Sequence, residues 1–207
     1  MTRVAIFDYG AGNIFSLKNS LEREGAGAVD VITDFGDMSC DGLLLPGVGN
    51  FDPAMRSIAR ASRGMLVDHI RGGMPVLGIC LGMEMFFARS EEGREPGLDV
   101  VDGAVTALPG GMKVPHMGWN RLSIRRPGRL LEGVEDGSWA YFVHSYMARP
   151  GDGGPGGKIT TAETDYNGVT IPAAVEYGSL LGTQFHPEKS GPVGRKMIRN
   201  FLEVCRR

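Results

Sequence analysis

The sequence predicts an α/β fold built on a largely parallel, helix-covered sheet, and three observations carry that prediction. Short apolar runs of strand length alternate with segments of helical period through the first half of the chain. The pentapeptide Gly78-Ile79-Cys80-Leu81-Gly82 sets a nucleophile between two glycines at a strand-to-helix transition. With 207 residues, 42% of them hydrophobic, the chain can bury a sizeable core.

The elements follow in order. Residues 4–7 read as a buried strand. Gly10 and Gly12 supply a turn, and the helix after it carries Ile14, Leu17 and Leu21 on one stripe before Gly25 closes it. Residues 29–32 form a short strand and 42–46 another, ending in proline. Helical spacing runs from about Pro53 to Ile70 with a break near Gly64. Residues 75–79 form the strand that feeds the cysteine turn, and a helix is expected over 83–89. From about Val100 the pattern becomes strand-rich with Gly/Pro punctuation, at 101–108, 121–124, 138–143, 158–163, 171–176 and 180–185. A last helix, 193–205, turns Met197, Phe201 and Leu202 towards the core. The polar, flexible run 150–157 reads as a hairpin tip. No repeat and no interdomain linker stands out, so one domain over 1–207 is expected.

Composition excludes several classes. Net charge is −2 without a Lys/Arg block, so neither nucleic acid nor an anionic membrane is the expected partner. The N-terminal residues lack the charged and apolar regions of a secretion signal, and no apolar run approaches membrane-spanning length. The three cysteines, Cys40, Cys80 and Cys205, are odd in number, far apart and without a C-x-x-C pair. A cytoplasmic protein with reduced thiols, no disulfide scaffold and no zinc site is the expectation. His69, His116 and His144 show no metal-ligand spacing and take structural or supporting roles. Gly10-Ala11-Gly12 fails as a dinucleotide fingerprint, because the third glycine would fall at Phe15. No metal and no cofactor is expected.

The chemistry centres on Cys80. Glycines flanking a nucleophile permit a turn too sharp for a Cβ at those positions, as in a nucleophile elbow. The following helix starts with unpaired N–H groups, which favour the thiolate. A base and an orienting group appear in Gln184-Phe185-His186-Pro187-Glu188 at the end of the last strand. Alternate residues of an extended segment project to one side, so His186 and Glu188 can face one cleft. Proline keeps His186 extended, and a carboxylate beside an imidazole fixes its tautomer and stabilises the imidazolium. Pro46-Gly47-Val48-Gly49 closes another strand and admits two readings: backbone donors of an oxyanion hole, or an ordinary strand-to-helix turn. The amide of Leu81, after the nucleophile, is the other candidate donor.

Together these motifs resemble the class I (triad) glutamine amidotransferases, and among them the glutaminase subunits of histidine biosynthesis. The resemblance spans nearly the whole chain. It runs through Asp8-Tyr9-Gly10-Ala11-Gly12-Asn13, Pro46–Gly49, Gly78–Met83, Pro115-His116-Met117-Gly118-Trp119-Asn120, Tyr141-Phe142-Val143-His144-Ser145-Tyr146 and Thr183–Gly191. It implies a mostly parallel mixed sheet flanked by helices, with Cys80 as nucleophile, His186 as base and Glu188 as its orienter. The oxyanion would rest on Val48, Gly49 and Leu81, and Gly47, Gly82 and Glu84 would line the glutamine site. L-Glutamine would give glutamate and ammonia. The ammonia would pass to a cyclase subunit with a (β/α)8 barrel in a heterodimer, making imidazole glycerol phosphate and an aminoimidazole carboxamide ribotide. The resemblance also sets Asn13, Tyr141 and Lys189 near the partner interface.

One position departs from the family pattern. Glu84 stands where those proteins carry glutamine, four residues after the nucleophile and on its helix face. A carboxylate accepts hydrogen bonds without donating them, and its charge opposes a thiolate. Weakened glutamine binding, a locally protonated carboxyl or altered control are its possible consequences. Two alternatives stay beside the main reading: a paralogous subunit supplying ammonia for surface-polysaccharide sugar modification, and a catalytically weakened regulatory subunit. A cysteine peptidase has less to support it, given the partner-facing motifs.

Overall fold

The fold is that of a computed structural model describing residues 1–10, 14–36, 38–151 and 159–207. Asn13, part of the glycine turn and most of the expected hairpin tip lie outside the described residues. The first half runs β1 (Arg3–Phe7), α1 (Ile14–Arg23), β2 (Ala28–Ile32), β3 (Gly42–Leu45), α2 (Phe51–Arg60), α3 (Arg63–Arg71), β4 (Val76–Ile79) and α4 (Leu81–Glu84). The second half contributes β5 (Gly103–Ala107), β6 (His116–Arg121), β7 (Ser123–Ile124), β8 (Trp139–His144), β9 (Tyr146–Pro150), β10 (Thr160–Tyr166), β11 (Val169–Tyr177) and β12 (Leu180–Thr183). A 3-10 turn (Pro187–Lys189) and α5 (Gly191–Cys205) end the chain.

Eight strands share one sheet in the order β2-β1-β3-β4-β12-β11-β10-β7. The first five are parallel; β11, β10 and β7 extend the sheet antiparallel. The twofold alternation of β1 shows why helices cover both faces. Val4 and Ile6 pack with Leu17 and Leu21 of α1 and Met197 and Phe201 of α5. Ala5 and Phe7 face the other way, into a cluster with Phe51 and Ile58 of α2 and Leu66 of α3. β3 and β4 are buried at every residue, as strands covered on both faces must be. The expected α/β class holds, and the sheet is mixed.

Four local expectations are corrected. The break near Gly64 falls at Ala61–Ser62, where Ser62 takes a φ of 71° between α2 and α3. The helix expected over 83–89 stops after one turn. Its would-be acceptors are taken by a later segment: Leu98 donates to Met85 O, Val100 and Val101 to Phe86 O, and Gly97 to Ala88 O. The strand expected at 121–124 is split. β6 pairs with β8 in a two-stranded sheet and β7 pairs with β10 in the main one, with buried Leu122 between them. β9 was not expected; it is held by β5, a segment distant in the chain.

Candidate active site

The parallel strands β1, β3, β4 and β12 end at one edge of the sheet, where open α/β folds bind ligands. Tyr9, Gly47, Cys80 and Gln184–Glu188 are delivered there by the chain leaving each strand. β4 and β12 are neighbours, with Thr183 opposite Ile79, and the Cys80 amide donates to Thr183 O at 2.6 Å. That register sets the nucleophile candidate beside the segment carrying His186.

Cys80 has φ 50° and ψ −108°, a strained conformation for a residue with a side chain, costing about 1–3 kcal/mol. Close backbone packing holds it. A Cβ on Gly82 would overlap the Leu45 carbonyl, and one on Gly78 would meet Gly82 and Met83 backbone atoms. Gly47 is pressed against the turn in the same way, where a Cβ would overlap the Ile79 carbonyl. The glycines at 78, 82 and 47 therefore let the β3 loop and the cysteine turn interlock.

His186 and Glu188 form a buried pair, with Nδ1 2.8 Å from Glu188 Oε1. An ionised carboxylate only accepts, so Nδ1 carries the proton and Nε2 presents its lone pair. That Nε2 is buried and has no hydrogen-bond partner among the described residues. Cys80 Sγ instead lies 3.8 Å from the Val143 carbonyl, to which the thiol donates. Strand β8 touches both groups, because Tyr141 O accepts the His186 amide at 2.9 Å. Ser190 Oγ completes the hold: it donates to His186 O at 2.7 Å and accepts from the Tyr141 amide at 2.9 Å.

The thiol is less acidic than the helix-terminus expectation suggests. Burial pushes Cys80 well above the ordinary thiol value, and the Glu84 charge pushes it further. The Leu81 N–H and the Gln184 side chain pull it back, and Glu188 adds a smaller upward push. A one-turn α4 brings too little dipole to offset a dry site facing two carboxylates.

Glu84 is buried, with 4% exposure, and accepts from Gln184 Nε2 at 2.9 Å. Burial lifts its carboxyl to about 7; the Gln184 bond opposes that shift and the Glu92 charge adds to it. Gln184 Nε2 also lies 3.7 Å from Cys80 Sγ. Tyr9 turns a buried hydroxyl, without a partner among the described residues, into the same region; burial and the charges of Cys80 and Glu84 disfavour its ionisation. Sequence reading passed over Gln184, Tyr9, Val143 and Ser190. The alternation that selected His186 and Glu188 includes Gln184 two residues earlier, so that residue carried a usable signal.

The remaining candidates are placed as follows. The Leu81 amide faces Sγ; Val48 is half-buried, and Gly49 is exposed with φ 122°. Tyr141 and exposed Lys189 lie together, with Nζ 6.0 Å from the ring centroid. Trp119 packs edge-on against Tyr141. No group of metal-ligating side chains occurs among the described residues. A cavity of about 760 Å³ opens near Arg125, Arg126 and Arg129, beside the antiparallel end of the sheet. Two of those arginines are neutralised by Glu163 and Glu176.

Comparison with known proteins fits this geometry. The family model described as glutamine amidotransferase class-I matches residues 5–205. The chain is 46% identical to the imidazole glycerol phosphate synthase subunit HisH of Synechococcus sp. (strain JA-3-3Ab), over 99% of this chain and 95% of that protein. It is 46% identical to HisH of Halobacterium salinarum, covering 98% and 93%. For HisH of Methanothermobacter thermautotrophicus the identity is 44%, covering 98% and 99%. Among solved structures, a glutamine amidotransferase superposes with a TM-score of 0.76 at 20% identity, covering 99% of both chains. PurLQS from Thermotoga maritima superposes at 0.74 with 18% identity, covering 98% and 99%. The chain belongs to the class I glutamine amidotransferase family, on the branch of the HisH subunits of imidazole glycerol phosphate synthase.

Proposed function

We propose that this chain is the glutaminase subunit of an imidazole glycerol phosphate synthase, working as one domain in the cytoplasm. The observation that carries the reading is the buried His186–Glu188 pair, whose Nε2, without a partner among the described residues, lies at the sheet edge that also bears Cys80.

In the reaction Nε2 of His186 takes the Cys80 proton as sulfur bonds to the carboxamide carbon of L-glutamine. The carbonyl oxygen becomes an oxyanion, received by the Leu81 amide and the Val48–Gly49 segment. The tetrahedral species collapses as the imidazolium gives its proton to the departing nitrogen, leaving a glutamyl thioester and ammonia. Water, deprotonated by His186, then attacks the thioester; glutamate leaves and the thiol is restored. Glu188 keeps the Nδ1 proton in place and stabilises the imidazolium at both stages.

The ammonia passes to a cyclase subunit with a (β/α)8 barrel. The β6–β8 sheet supplies a docking surface, since Met117 is 62% exposed and Trp119 54%, beside Tyr141 and Lys189. Large apolar side chains exposed beside a charged one suit a protein partner. Glutamate release from glutamine, measured with and without the cyclase subunit and its nucleotide ligand, tests the reading. Partner-stimulated hydrolysis that disappears in Cys80→Ala is expected; hydrolysis surviving that substitution would refute it.

A further inference from the structure

We infer that Gln184 is a positioning residue for the nucleophile: Glu84 fixes its orientation so that its amide donates to the Cys80 sulfur. The inference rests on Cys80 as the reacting thiol.

Three buried observations lead there. Gln184 is fully buried, and its Nε2 lies 2.9 Å from Glu84 Oε1 and 3.7 Å from Cys80 Sγ. Its Oε1 is buried without a partner among the described residues. Glu84 is itself buried one helical turn beyond the cysteine, and its amide donates to Cys80 O at 3.0 Å. An amide side chain has a donor end and an acceptor end, whereas a carboxylate only accepts. Ionised Glu84 therefore compels Gln184 to turn its NH2 inward, and the same NH2 has a second hydrogen for the sulfur. A neutral amide at position 84 could satisfy Gln184 in either orientation. The acceptor end would then face sulfur in part of the population and disfavour the thiolate.

The arrangement has two opposed effects on Cys80. The N–H from Gln184 favours the thiolate, and the Glu84 charge disfavours it. The charge is the larger influence. The titratable groups acting on this centre are Tyr9 after β1, Glu188 after β12, and Glu92, whose charge acts on Glu84. Glu92 is held by the Phe51 amide at 2.9 Å. Among the described residues, no lysine or arginine acts on either Cys80 or Glu84.

The test follows carboxamidomethylation of Cys80 by iodoacetamide against pH, read by peptide mapping so that Cys40 and Cys205 are counted separately. E84Q, an isosteric change, should lower the midpoint by about one pH unit. The thiolate fraction at pH below the midpoint then rises about tenfold, and lost nucleophilicity trims the gain in rate to about threefold. The wild-type profile should carry a shoulder near pH 7, where Glu84 takes up its proton, and E84Q should remove it. Gln184→Leu should raise the midpoint and slow labelling several-fold, and Gln184→Met serves as a second variant if leucine impairs folding. A profile unchanged in E84Q, or labelling as fast in a folded Gln184 variant as in wild type, overturns the inference. Labelling consumes no glutamine, so this outcome is independent of whether the protein hydrolyses glutamine.

Discussion

Glu188→Gln isolates the charge of the orienting carboxylate from its shape. Glu188 Oε1 stands 2.8 Å from His186 Nδ1, and the side chains are only 1% and 8% exposed, so solvent screens the pair weakly. Gln keeps an oxygen that can accept the Nδ1 proton, so the tautomer survives. What it loses, in the proposed reaction, is attraction to the imidazolium formed in each step. Unit charges about 4 Å apart at an effective dielectric constant of about 20 attract by about 4 kcal/mol. Each 1.4 kcal/mol is about a factor of ten in rate, so the full term would be nearly three decades. With the hydrogen bond retained, kcat for glutamate release should fall by about 10²–10³. KM should stay within about threefold, because in the proposed reaction the carboxylate acts on His186 and not on the substrate. The assay is steady-state glutamate release in the presence of the cyclase subunit, with circular dichroism to establish an intact fold. A fall smaller than about fivefold in folded protein would refute the assignment of imidazolium stabilisation to Glu188.

Further outcomes follow from other parts of the structure. Gly82→Ala inserts a Cβ into the Leu45 carbonyl; it should destabilise the protein by at least about 2 kcal/mol and abolish hydrolysis, and a urea midpoint equal to wild type would contradict it. Trp119→Ala removes an exposed ring beside Tyr141. It should weaken cyclase binding by about 2 kcal/mol, roughly thirtyfold in Kd, leave the urea midpoint unchanged, and be checked by calorimetric titration. His116 and His144 are 2.9 Å apart and buried, and burial lowers them to about 4 and about 3. Their folded values lie below the unfolded one, so their contribution is complete above about pH 6.5 and is lost as pH falls, at about 1.4 kcal/mol per pH unit for each histidine. Glu84, with its carboxyl raised to about 7, acts with the opposite sign. The comparison therefore belongs in E84Q, where urea stability should drop by roughly 4 kcal/mol between pH 7 and pH 5; a flat profile would contradict a neutral histidine pair.

Much of the fold was legible because its signals are local. Strand runs buried on both faces, such as Gly42–Leu45 and Val76–Ile79, read as continuous apolar sequence. The sharp turn at Cys80 was announced by its flanking glycines, since no other residue allows such close backbone packing. What remained hidden depends on distant chain. The elbow helix is cut short because residues 97–101 take the acceptors it would need, and no local propensity records that competition. β9 exists because β5 pairs with it, and the passage from β6 to β7 changes sheets at Leu122. Gln184 stands two residues before His186 in the sequence, but its meaning depends on meeting Glu84, a hundred residues earlier; the extended alternation expected over 184–188 gives way to a 3-10 turn at Pro187–Lys189.

The sequence by itself determined which residue types were available for the chemistry: a cysteine between glycines, a histidine held extended by proline, and a carboxylate two residues on. It also placed a glutamate one helical turn past the cysteine. Only the tertiary structure decided how acidic the thiol is and where its proton rests. Those properties come from burial, from the charges of Glu84 and Glu188, and from the Val143 carbonyl and the Gln184 amide. The physical reason is that residue identity and backbone turn are encoded locally, whereas solvation and field at a buried atom are sums over whatever the fold brings near it.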